Sequence, residues 1–164
     1  MGSSAIPVFD KTAQTTHLWL NEIGEGIGLD DQQSWHVTGA VLHALRDRLP
    51  IELAAHLGSQ LPLLVRGAYY DQFRPSELPK RVRSLDEFLQ MIAAELRSGR
   101  PVDTKDAARA VFKVLSRHLS PGQIDNVREA LPEEVRTLWS EPGTQDSSGR
   151  ATADSSARSK GRSH

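Results

Sequence analysis

Residues 40–70 read AVLHALRDRLPIELAAHLGSQLPLLVRGAYY, and seventy positions later residues 110–140 read AVFKVLSRHLSPGQIDNVREALPEEVRTLWS. Laid over one another without a gap, they are identical at Ala40/Ala110, Val41/Val111, Leu45/Leu115, Leu49/Leu119, Leu61/Leu131, Pro62/Pro132, Val65/Val135 and Arg66/Arg136. The stretch is read twice, and the two readings constrain each other. In the later copy Ala108, Val111, Phe112, Leu115 and Leu119 recur at i, i+3, i+4, i+7 and i+11, the spacing of one helical face. The matching earlier positions are Thr38, Val41, Leu42, Leu45 and Leu49. Both copies therefore predict a helix with the same face inward.

Beyond that helix, Pro50 in the first copy and Ser120-Pro121 in the second open a shorter one, serine being a natural N-cap and proline being tolerated in a first turn. Its inward set is Ala54, Leu57 and Leu61, matched by Ile124, Val127 and Leu131. Leu-Pro follows in both copies and starts a fourth short helix that turns away from the third. Upstream, a first helix starting near Thr15 or Thr16 carries Trp19, Leu20, Ile23 and Ile27, which align with Phe88, Leu89, Ile92 and Leu96 at an offset of sixty-nine. Ser84 and Glu87 have capping-box spacing at the head of that later helix. The expected fold is all-α, an orthogonal bundle of two pseudo-repeated halves of three to four helices each, with a globin-like arrangement as one packing open to it.

At 164 residues the chain holds one such domain, expected over 15–140, with half 1 over about 15–70, a junction at 71–83 and half 2 over about 84–140. Residues 1–14 are expected as a flexible lead-in. Residues 141–164, rich in Ser, Gly, Arg and Asp with almost no large apolar side chain, are expected as a disordered tail. The formal net charge is -1, so the chain lacks the single-sign field that favours nucleic acid or an anionic surface. With no cysteine, disulfides, thiolate metal sites and Cys nucleophiles are excluded, which suits a reducing cytoplasm. No apolar run approaches the length of a membrane span.

THLWLNEI, AVLHALRDRLP, SQLPLLVRGAYYDQFRPS, EFL, AVFKVLSRHLSPGQI and LPEEVRTLW stand in this order over residues 15–139. In that order and spacing the sequence resembles the bacterial family catalogued as domain-of-unknown-function 2267. The resemblance implies an all-helical bacterial protein of the cytosol and no reaction. Ser34 and Trp35 stand where that family more often has a small residue and a tyrosine, and Phe73 where a tryptophan is usual.

The best candidate constellation for ligand binding is Arg66, Tyr69 and Tyr70, which share a helical face beside Gly67, with Arg74 following in the junction. A bidentate guanidinium there could hold a carboxylate or phosphate. The competing reading is structural: Arg66 returns as Arg136, so both copies need it, for example to bond carbonyls at a neighbouring helix end. Tyr69 matches Trp139, an aromatic packing position, whereas Tyr70 matches Ser140 and is the freer of the two. Arg46, Asp47 and Arg48 read as a solvated helix end, and Glu22, Glu25, Glu133 and Glu134 as exposed charges. His36 and His43, seven apart, lack the second ligand pair that a metal site needs, so no metal and no cofactor is expected. The sequence shows no nucleophile with its base and no phosphate-binding glycine loop. It favours a non-enzymatic module that binds a protein partner or a second copy of itself, against the alternative of an anionic-ligand pocket or enzyme at Arg66 and Tyr70.

Overall fold

The computed structural model describes residues 6–139, and the expected disordered tail lies outside the described residues. Within them the secondary structure is helical: α1 (Pro7–Ile27), α2 (Asp31–Arg48), α3 (Ile51–Ser59), α4 (Leu63–Tyr70), α5 (Leu85–Glu95), α6 (Thr104–His118), α7 (Pro121–Glu129) and α8 (Glu133–Arg136), with 3-10 turns at Pro75–Glu77 and Thr137–Trp139. The fold is all-α.

The sequence stripes are the core. Thr38, Val41, Leu42, Leu45 and Leu49 along α2 and Ala108, Val111, Phe112, Leu115 and Leu119 along α6 are all buried, as are Ala54, Leu57 and Leu61 with Ile124, Val127 and Leu131. Ser120 caps α7 through the amide of Gln123, with Pro121 first in the helix. Pro62 and Pro132 each occupy the N-cap itself, so the proline ends one helix and launches the next without costing an intrahelical bond. At α5, Ser84 accepts from the Glu87 amide at 3.1 Å, and Glu87 returns a bond to the amide of Arg83 at 2.8 Å. Helix α2 lies at the centre, packed by α1, α4, α5 and α6.

Helix α1 departs from expectation. It starts at Pro7 rather than near Thr15, so residues 7–14 of the expected lead-in are helical. Proline at the first position fixes φ in the helical range and needs no amide partner there. The polar run Asp10–Thr15 hides the period that Phe9 shares with the buried Thr16, Leu20 and Ile23 at i, i+7, i+11 and i+14. At its other end Gly28 takes φ 70°, ending the helix in the left-handed conformation that suits glycine. Gly24 is also required, since a Cβ there would stand 2.6 Å from the Leu29 carbonyl oxygen and 2.6 Å from Ser34 Oγ.

Candidate functional site

Helix α4 ends at Tyr70, leaving its last carbonyls without intrahelical partners. Two cationic side chains of α2, one turn apart, meet them. Arg46 donates through Nη1 to the carbonyls of Tyr69 at 2.6 Å and Asp71 at 2.8 Å, and through Nε to Asp47 Oδ1 at 2.7 Å. Its guanidinium lies 5.3 Å from the centre of the Phe73 ring, and only 3% of the side chain is exposed. The solvated helix end expected at Arg46 is thus a buried cap, because the chain after α4 folds back over α2 and brings carbonyls to it. The junction is pinned along the same edge: Lys80 N–H donates to the Asp47 carbonyl at 2.7 Å and Arg48 Nε to that of Val82 at 2.8 Å.

His43 holds the third carbonyl. Its Nε2 is 2.7 Å from the Ala68 oxygen, and its Nδ1 is 2.8 and 3.1 Å from the two carboxylate oxygens of Glu95. Both ring nitrogens face acceptors, and only the doubly protonated ring donates at both. Burial of the ring opposes that charge, yet the Glu95 carboxylate and the Ala68 carbonyl outweigh it and raise the pKa above the usual histidine value. Glu95 closes α5, where the helix dipole disfavours an acid, so its place is explained by the partner across the interface rather than by its own helix.

Three concavities of the surface share Glu95. The largest, about 690 Å3, is an open groove between α2 and α4. Trp35, Leu63 and Leu64 wall it, Gly39, Gly67 and Ala68 line its length, and His43, Asp71, Gln72 and Glu95 stand at its polar end. Leu63 and Leu64 are 51% and 45% exposed. A Cβ on Gly39 or Gly67 would meet nothing within 4 Å, in contrast to Gly24 and to Gly58, where it would run into the Tyr70 ring. Helical glycine costs roughly 0.5–1 kcal/mol relative to alanine. At Gly24 and Gly58 internal packing accounts for that cost, whereas at Gly39 and Gly67 the space freed opens into the groove.

The four candidate residues from the sequence do not converge on one pocket. Arg66 spends Nε on the Gly58 carbonyl at 3.0 Å and Nη2 on those of Ser59 at 3.1 Å and Leu61 at 2.8 Å, closing the end of α3. Tyr69 is buried, donates to the Ala54 carbonyl, and has its phenol pKa pushed up by that burial. Tyr70 lies against Gly58, edge-on to Tyr69 and Phe73, and donates to the Ala55 carbonyl at 3.3 Å. Arg74 lines a polar cavity of about 220 Å3 that it shares with His43, Arg46, Asp47, Glu77 and Lys80.

The family described as Uncharacterized conserved protein (DUF2267) matches residues 16–138. The chain belongs to this family. No curated protein matches it. For a DUF2267 chain, then, the site has to be argued from its own residues. Among the described residues no group of three or more His, Cys, Asp and Glu is placed to hold a metal ion, and no helix is long and apolar enough to cross a membrane. Sequence reasoning singled out Gly67 but missed Glu95 and Gly39, though both carry a signal: an acid at a helix C-terminus, and a glycine inside a helical period. It also missed a second polar cluster. Glu22, expected as a surface charge, is only 18% exposed, lies 2.8 Å from His118 Nε2 and 3.5 Å from Arg117, and His118 stacks on Trp19. Glu134 is exposed, as expected, and accepts from the Leu85 amide at the start of α5.

Proposed function

We propose that this chain is a non-enzymatic protein-interaction module whose docking face is the groove between α2 and α4, and that it receives an amphipathic helix bearing a cation. The observation that carries the reading is the pair Gly39 and Gly67, whose missing side chains serve no contact within the chain and leave room for a helix to approach closely. Leu63, Leu64 and Trp35 supply the apolar wall, and exposed apolar side chains grouped along a concave surface are a mark of docking. The carboxylates of Asp71 and Glu95 at one end set the sign of the partner's charge. The two sequence copies form the scaffold: we read them as two halves of an orthogonal bundle, supported by the matched bonds of Arg66 and Arg136 to the helix before them. A cytoplasmic setting suits a chain without cysteine. The alternative, an anionic-ligand pocket at Arg66 and Tyr70, has less support, because Arg66 already donates to three carbonyls.

The test is a titration of the isotope-labelled full chain with an amphipathic helical peptide of leucine and lysine. The Gly39 and Gly67 amides should shift and saturate, and Leu64→Asp or Gly67→Leu should abolish the response. Ile51→Asp, at an exposed apolar position outside the groove lining, should leave it intact. Equal responses in all of these variants would remove the reading.

A further inference from the structure

The start of α1 has the features the groove calls for. Phe9 continues the inward stripe of α1, in register with Thr16, Leu20 and Ile23, yet it is 55% exposed, and Ile6 and Val8 beside it are 48% and 51% exposed. The helix runs on past the body that its stripe is built to cover. A solvent-facing helix start would ordinarily be polar, and here the first turn instead offers Pro7, Val8 and Phe9. Lys11 follows one turn after Val8 on the same side.

We propose that the helix seated in the groove is the start of α1 from a second copy of this chain, an inference that rests on the docking reading above. Phe9 and Val8 enter between Trp35 and Leu64 over Gly39 and Gly67, and Lys11 is directed to the carboxylates of Asp71 and Glu95. Knob and groove are neighbours on one surface. Val8 and Lys11 share a second concavity with Leu63, and Leu63 also walls the groove. A surface that carries both an element and its receptor side by side is self-complementary, so two copies related by a two-fold axis make the contact twice. Reciprocity doubles the buried apolar area and closes the assembly at a dimer, where a one-way contact would propagate into a filament.

Sedimentation equilibrium of the full chain should show a dimer. Phe9→Asp and Leu64→Asp should each weaken it about a hundredfold, the scale of losing a central interface anchor. Both sites are exposed, so circular dichroism should show the fold kept in either variant. Since the chain has no cysteine, trapping is clean. Phe9→Cys mixed with Gly67→Cys should oxidise to the mixed disulfide, identified by mass, and Ile51→Cys mixed with Gly67→Cys should not. A chain that stays monomeric at millimolar concentration and yields no mixed disulfide overturns the proposal. The leucine-lysine peptide then separates two failures. If it still shifts Gly39 and Gly67, the groove docks helices but not this one, and if it does not, the docking reading falls as well.

Discussion

At the corner between α3 and α4, Arg66 donates to the carbonyls of Gly58, Ser59 and Leu61, and at the corner between α7 and α8, Arg136 donates to those of Glu129 and Leu131. Residue by residue these are corresponding positions, and Leu-Pro precedes both helices. Past the arginine the two regions part. Helix α4 runs on to Tyr70 and is closed by the side chains of His43 and Arg46. Helix α8 stops at Arg136 and passes into a 3-10 turn whose Trp139 stacks on Phe112 at 4.2 Å. The positions matching His43 and Arg46 hold Lys113 and Ser116, both exposed. The same corner is therefore finished once by charge on carbonyls and once by an aromatic stack. Beside the charged version the groove opens, with Leu63, Leu64 and Gly67 of α4 in its lining.

The two corners should differ most at Arg46. Arg46→Met leaves the carbonyls of Tyr69 and Asp71 and the carboxylate of Asp47 without their buried donor, and should cost about 3 kcal/mol in chemical denaturation. At the matching position Ser116→Ala should stay within roughly 0.5 kcal/mol, as exposed substitutions do. Equal losses at the two sites would mean that Arg46 is not the closing element.

A smaller effect is expected where Tyr70 lies over Gly58. A Cβ on Gly58 would sit 2.5 Å from the Tyr70 hydroxyl and 2.7 to 2.8 Å from its ring, so Gly58→Ala should destabilise by about 1–2 kcal/mol. Arg128 occupies the matching position in the sequence, and Arg128→Ala should be near neutral. Pairing Gly58→Ala with Tyr70→Ser, the residue in the other copy, should recover stability toward the parent. A double variant no better than Gly58→Ala would show that the clash lies elsewhere.

What could be read from the sequence divides along the same line. The buried stripes of α2 and α6 were legible because both carry the same helical spacing, and the role of Arg66 was legible because Arg136 stands seventy positions later after the same Leu-Pro. Arg46 was not: an Arg-Asp-Arg triplet at a helix end looks solvated until the chain beyond α4 is seen to cross over it. Tyr70, the freer tyrosine by comparison of the copies, turned out to be fixed by Gly58, a partner that no helical spacing connects to it. The start of α1 was hidden by the polar run after Phe9. Gly39 and Gly67 are visible as helical glycines in the sequence, but whether such a residue faces a neighbour or open space depends on what the fold places above it.

Where the corners are alike, equal effects are expected. Arg66→Leu and Arg136→Leu each remove donors from the preceding helix end at a partly exposed site, and each should cost about 1 kcal/mol. Melting the two variants side by side sharpens the comparison, since a twofold larger loss at Arg66 would show that its third carbonyl bond adds to the cap.

The smallest effect separates the two corners by pH. The pKa of His43 is raised on folding, against the desolvation of its ring, by the carboxylate of Glu95 and the carbonyl of Ala68. A histidine bound more tightly to its proton when folded adds stability that is fully present below the unfolded value of about 6.5 and is lost as the pH rises through the higher folded value. Stability should therefore decline from mildly acidic toward mildly alkaline pH, and His43→Gln should flatten that slope while lowering stability at the acidic end. Lys113 stands in the matching place and is exposed, so Lys113→Gln should leave the slope unchanged. If the slope survives in His43→Gln, His43 is not the group that sets it. If it is lost, the neutral ring can donate at only one nitrogen at higher pH, and either Glu95 or the Ala68 carbonyl at the polar end of the groove goes without its partner.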